Sequence, residues 1–124
     1  MHFDQRIQAA LRDAGLSQAE ISTVSDAVVD ATERDAETLE AFFEGVDTVY
    51  SDMDMAHSAG DVVEHTVDYL DLYTHAADIR GYLRFDSWGV PVEGGRPLST
   101  EKIELSLGGT VNARVRFVRD RDAL

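Results

Sequence analysis

The chain has 124 residues, 44% of them hydrophobic, and a net charge of −13 at pH 7. That length suffices for one domain around one core, and the apolar content lies above the range of disordered chains. Cysteine is absent, which excludes disulfide frameworks, thiolate metal sites and cysteine nucleophiles. No apolar run approaches the ~18 residues of a membrane span. Met1 to Gln5 offer neither a basic nor an apolar leader, so a secretory signal is not expected and the default compartment is the cytoplasm.

The 24 acidic residues are 15 Asp and 9 Glu, whereas the 11 basic ones are 10 Arg and Lys102 alone. Short hydrated carboxylates keep a surface soluble when salt screens charge repulsion, and scarcity of lysine removes long apolar stems from it. This composition resembles that of proteins from extreme halophiles. The resemblance is to a style of surface rather than to a family. It implies that the acidity serves salt tolerance, so a carboxylate cluster is not by itself evidence for a cation or a basic partner.

In chain order, Phe3, Ile7, Ala10, Leu11 and Ala14 recur at helical spacing and predict a short helix over 3–14, ended by Gly15. Ser17 and Glu20 then form a capping box, with Leu16 and Ile21 placed as a hydrophobic staple. From there a helical stripe runs through Ile21, Val24, Val28, Leu39, Phe42, Phe43, Val46, Val49, Tyr50, Met53 and His57, with no proline in 18–58. Unbroken, such a helix is roughly 60 Å long. The irregular spacing between Val28 and Leu39, with Asp35 on the seam, marks 33–36 as a place for a bend.

Ser58-Ala59-Gly60 reads as a turn, Asp61 as an N-cap and Glu64 as its capping-box partner. Residues 62–80 then read as a third helix, antiparallel to the end of the long one, with a polar strip of Glu64, Asp68, Asp71, His75 and Asp78. After Gly81 the period changes to two. Leu83 and Phe85, leading to Val90 and Val92, form one strand, weakened at its end by Pro91. Glu93 to Pro97 read as a loop. Ile103, Leu105 and Leu107, then Val111, Ala113, Val115 and Phe117, form a hairpin around Gly108-Gly109. Matching apolar faces favours pairing Leu107 with Val111, Leu105 with Ala113 and Glu104 with Arg114. Residues 119–124 read as a frayed tail. The expected fold is therefore one α+β domain over 1–124. A helical hairpin with one long helix and a short N-terminal helix (3–80) precedes a three-stranded antiparallel β-meander (81–118).

Charge divides along the chain. Residues 1–79 hold 18 acidic and 3 basic groups, residues 80–124 hold 6 acidic and 8 basic ones. Arg84, Arg114, Arg116 and Arg119 are thus the candidate site for an anionic partner, with Tyr82 or Trp88 nearby as stacking groups. An acidic protein fits this site as well as nucleic acid does, and the overall negative charge counts against the latter. The start of the long helix exceeds what a third helix could cover, which makes Ile21, Val24, Val28 and Val29 the candidate surface for a homodimer.

His57, His65 and His75 do not share a ligand face, no Glu-x-x-His is present, and Asp52-Met53-Asp54 would splay its carboxylates on a helix, so no metal site is expected. Neither a phosphate-binding glycine loop nor a nucleophile motif occurs, so no cofactor and no catalytic residue is expected. The sequence points first to a non-enzymatic, self-associating interaction module. A nucleic-acid-binding protein using the arginine face, or a small metal- or ligand-binding helical protein, are the alternatives.

Overall fold

Asp4 caps the first helix, α1 (Gln5–Asp13), by accepting from Ile7 N–H at 2.9 Å in the computed structural model, which describes residues 3–54 and 62–124. The capping box forms as the sequence implies: Ser17 Oγ accepts from Glu20 N–H and Glu20 Oε1 from Ser17 N–H. It starts α2 (Gln18–Phe43), a continuous helix of 26 residues, about 39 Å long. No break interrupts it at 33–36. The helix ends fifteen residues before the expected position, because Gly45 takes up φ 70°, the left-handed conformation that terminates helices.

The rest is a sheet. Strands β1 (Thr48–Ser51), β2 (Val63–His75), β3 (Asp78–Phe85), β4 (Gly89–Pro97), β5 (Lys102–Leu107) and β6 (Ala113–Val118) are antiparallel in sequence order. β6 returns to β1 and closes the barrel. The architecture is α+β; among the described residues there are two α-helices, the meander has six strands instead of three, and the long helix has no antiparallel third helix beside it. The expected third helix over 62–80 is the β2–β3 hairpin. Its residues are rich in Val, Thr and Tyr, which favour strands. A bulge between Val67 and Tyr69 shifts the phase of burial, from His65 and Val67 to Leu70 and Leu72. That single slip makes a period-two pattern look like a broad helical face. The turn carries no glycine signal either: Ala76 itself adopts φ 53°.

Two further corrections concern the later strands. Glu93–Pro97 is not a loop but the second half of β4, with another bulge between Val92 and Gly94. The β5–β6 register differs from the expected one by two residues: Leu107 pairs with Ala113, Leu105 with Val115 and Glu104 with Arg116. Both registers bury the same faces, so hydrophobic matching alone cannot separate them. The five-residue connection 108–112, with Gly109 at φ 58° and Asn112 at φ 45°, decides it. The tail is not frayed at its start, because Arg119 bonds to α2, and Arg121–Ala123 form a 3-10 turn capped by Asp120. The readings at His57, at Ser58-Ala59-Gly60 and at Asp61 lie outside the described residues.

Inward residues alternate along the strands except at the bulges of β2 and β4, and a six-stranded barrel is narrow enough for side chains to fill it. Val49, Leu83, Phe85, Val90, Leu105, Val115 and Phe117 are all buried there. The last turns of α2 close one end, at the starts of β1, β3 and β5. Leu39 and Phe42 join the core, and Phe43 meets Phe117 edge-on at 5.8 Å. β1 covers only the first part of β2. The remainder lies beside α2, where Glu40 Oε1 accepts from Leu72 N–H at 3.2 Å. The first half of α2 forms a helical arm with α1 and adds nothing to the core cluster, although Ile21 and Ser25 on it are fully buried. No helix among the described residues is long and apolar enough to cross a membrane.

Gly81 marks where β2 and β3 approach most closely. A Cβ there would collide with the Asp71 carbonyl oxygen and sit 2.9 Å from Leu72 Cα, both backbone atoms that cannot swing aside. Gly81→Ala should therefore destabilise the fold by about 2–3 kcal/mol, at the upper end of overpacking costs. Urea unfolding checks this, and an unchanged midpoint would contradict the pairing described.

Candidate functional site

Among the described residues, three regions hold chemistry-bearing side chains: the mouth of the barrel, the outer wall of β4–β6 and the outer wall of β2–β3.

The mouth lies opposite α2 and carries the β3–β4 loop. Here β2 turns His65 inward, onto the ring of Phe85 at 4.7 Å, and Phe85 in turn meets Trp88 at 4.7 Å. His65 Nε2 and Ser51 Oγ share a hydrogen bond of 2.6 Å, and Ser51 Oγ also accepts from Met53 N–H. Burial lowers the His65 pKa from 6.5 to about 4, so the imidazole is neutral at pH 7. A cavity of about 340 Å³ lies alongside, lined by Glu64, His65, Thr66, Asp86 and Trp88 among others. The pair resembles a nucleophile and its base, but its surroundings do not suit that chemistry. Ser51 is fully buried, its oxygen already accepts a backbone bond, and among the described residues no carboxylate orients the imidazole. The pair ties the end of β1 to β2 and is a structural lock.

On the β4–β6 wall, cross-strand pairing places Arg96, Glu104 and Arg116 in one row. Glu104 Oε1 accepts from Arg96 Nε at 3.1 Å and Oε2 from Arg116 Nε at 3.4 Å. Burial acts to raise the Glu104 pKa, but the hydrogen bonds and charges of Arg96 and Arg116 outweigh it and hold the carboxyl below its ordinary value. The next row sets Gly94, Ser106 and Arg114 side by side, over a depression of about 300 Å³.

On the β2–β3 wall, Tyr69 pairs with Arg84, Asp71 with Tyr82 and Tyr73 with Arg80. These tyrosines are 48%, 39% and 65% exposed for Tyr69, Tyr82 and Tyr73, three of the four in the chain. Arg80 is held by Asp78 at 3.9 Å and by the carbonyls of Ile79 and Glu93.

The four arginines expected to act together are therefore dispersed. Arg114 and Arg116 share the β4–β6 wall. Arg84 stands on β3, away from them, and Arg119 is committed to α2: it donates to Phe42 O at 3.0 Å and stacks over the Phe42 ring. Arg96, hidden in a stretch that reads as a loop, takes their place. Of the arm residues, Ile21 is fully buried, Val24 is 39% exposed, and Val28 and Val29 are half-buried. Among the described residues no group of His, Asp and Glu is arranged to hold a metal ion. Asp52-Met53-Asp54 is indeed irregular rather than helical, but Asp52 Oδ1 is used by Arg116 N–H at 2.9 Å.

Fold and surface together define a helix-plugged, six-stranded antiparallel barrel whose polar features lie mostly on its outer walls. The chain belongs to DUF7532, a family of unknown function, whose sequence pattern matches residues 1–122. No curated protein and no solved structure matches the chain.

The lock has a measurable signature. Between pH 6.5 and about 4 the unfolded chain binds a proton that folded His65 refuses, so stability falls as pH falls through this window. The full loss corresponds to about 3 kcal/mol. His65→Gln keeps a hydrogen-bonding group but cannot titrate. Its stability, followed by denaturant unfolding across that window, should decline less steeply than that of the natural protein. Parallel declines would show that His65 does not titrate this way.

Proposed function

We propose that the chain is a non-enzymatic interaction module that associates with a second copy of itself through the β2–β3 wall. The observation that carries this reading is the placement of Tyr69, Tyr73 and Tyr82 at the surface of one wall. Tyrosine and arginine bring large contact area and hydrogen-bonding ends at low entropic cost, and they concentrate in interface centres.

Charge supports a self-association. The molecule carries −13, so two copies repel wherever acidic surfaces meet. On this wall Arg80 and Arg84 offset two of the three aspartates Asp68, Asp71 and Asp78, which makes it a place where two copies approach with less of that penalty. The barrel is closed, and the stretch of β2 that β1 does not reach lies beside α2, so side-chain faces are the proposed contact. The wall spans eight paired residues, about 27 Å, and is small by the standard of obligate dimers. The association it supports is weak and concentration-dependent. The proposed setting is a cytoplasm of high ionic strength, for which the Asp-rich, Lys-poor composition is the support. An acidic protein partner fits the arginines here less well than a second copy, because it would leave Asp71 and Asp78 unmatched.

Sedimentation equilibrium in molar potassium chloride tests the proposal. The natural protein should show a mass rising with concentration, and the pair Tyr69→Ser with Tyr73→Ser should weaken association at least about tenfold with an unchanged circular dichroism spectrum. Val24→Ser should leave it unaffected. A monomer at every concentration overturns the reading, and loss through Val24→Ser alone transfers the contact to the helical arm.

A further inference from the structure

We propose that the outer wall of β4, β5 and β6 carries a binding site for a phosphoryl group, formed by Arg96, Arg114 and Arg116 with the Ser106 hydroxyl. Glu104 is the organising residue. Each of its oxygens takes one Nε, from Arg96 and from Arg116, and so fixes two guanidiniums whose Nη groups remain free for a ligand. Arg114 lies one row away. Among the described residues, neither its guanidinium nor the Ser106 hydroxyl makes a hydrogen bond or ion pair to the protein. Beside Ser106, β4 presents Gly94, so no side chain from that position covers the depression.

The ligand class follows from charge and donor count. Three arginines against one carboxylate leave +2 on a molecule of net −13. That excess matches a phosphate monoester, which carries about −1.5 to −2 near neutral pH. The remaining guanidinium N–H groups and a hydroxyl outnumber what the two oxygens of a carboxylate accept, whereas a tetrahedral oxyanion offers three or four acceptors in different directions. The −13 of the whole chain disfavours a long polyanion, which would have to pass the acidic remainder of the surface. A small phosphorylated molecule, or free phosphate, is the occupant.

Backbone amide shifts followed by NMR, at the lowest salt concentration that preserves the fold, provide the test. Inorganic phosphate, adenosine monophosphate, adenosine and a short single-stranded oligonucleotide are the probes. Saturable shifts at Gly95, Ser106 and Arg114 are expected with phosphate or adenosine monophosphate and not with adenosine. A response to phosphate alone identifies the free ion as the source. A tighter response to the monophosphate identifies a phosphorylated small molecule. Arg114→Gln should weaken binding at least about tenfold, while Arg84→Gln, on the β2–β3 wall, should leave it unchanged. The proposal is overturned if neither phosphate nor the monophosphate gives saturable shifts, if only the oligonucleotide binds, or if the two variants behave alike.

Discussion

The end of α2 and the end of the barrel have to satisfy each other. Six short strands enclose a narrow interior, and its α2 end is closed by apolar groups from outside the sheet. Leu39, Phe42 and Phe43 provide that closure, and Phe43 reaches Phe117 directly. Burying three such side chains contributes about 1.5–3 kcal/mol each. The polar groups at the junction are matched as well: Glu40 takes the Leu72 N–H beyond the reach of β1, and Arg119 takes the Phe42 carbonyl at the helix end. Cations are favoured at a helix C-terminus, and the last turn of α2 contains none of its own, so Arg119 supplies one from just past the end of β6. The position of Gly45 follows from the same requirement. A helix continuing past Phe43 would leave no chain to form β1, and without β1 the barrel does not close.

The helices show through plainly in the sequence, and the sheet does so only in part. Ser17, Glu20 and the Ile21 stripe identify the start of α2, because capping chemistry and helical spacing agree there. Its end is obscured because Val46, Val49 and Met53 continue a helical spacing by coincidence, while the glycine that stops it looks like an ordinary polar-flank residue. β2 hides for a related reason. Bulged strands lose strict alternation, and the Ala76-Ala77 turn lacks the glycine or asparagine by which hairpins are recognised. β5 and β6, which alternate without interruption, are legible, and only the length of their connection escapes. Of the site residues, Arg114 and Arg116 are visible as a pair on one strand. Arg96 is not, since Gly94-Gly95 and Pro97 around it imitate a loop, and Tyr69 and Tyr73 lie in a segment that reads as helix while Tyr82 stands beyond its end. Pairing between strands brings them together, and pairing is what a single sequence encodes least directly.

The acidic composition takes on a different meaning once the strands are in place. Glu64, Asp68 and Asp71 belong to a strand, so the negative surface is not confined to helices but extends over the sheet. Two walls depart from it. On one, arginines alternate with tyrosines and offset most of the aspartate charge; on the other, Arg96 and Arg116 bracket Glu104, and Arg114 has no ion-pair partner among the described residues. A molecule that disperses carboxylates everywhere else gains nothing in solubility from collecting arginines in one place.

The two walls also differ in what holds their side chains. On β2–β3 the tyrosines are exposed and flanked by the Arg80–Asp78 ion pair, which solvent screens, so their positions are loosely fixed and suit a contact that adapts to another protein surface. On β4–β6 one nearly buried carboxylate bonds two guanidiniums from neighbouring strands, and the closed sheet fixes the spacing of those strands. Rigid placement of charged donors lowers the entropic cost of capturing a small ion, which brings little surface of its own to offset that cost. The adaptable wall is therefore suited to a macromolecule and the rigid wall to a small anion. The barrel interior, filled by Phe85, Phe117 and the plug from α2, serves chiefly to hold both walls in shape.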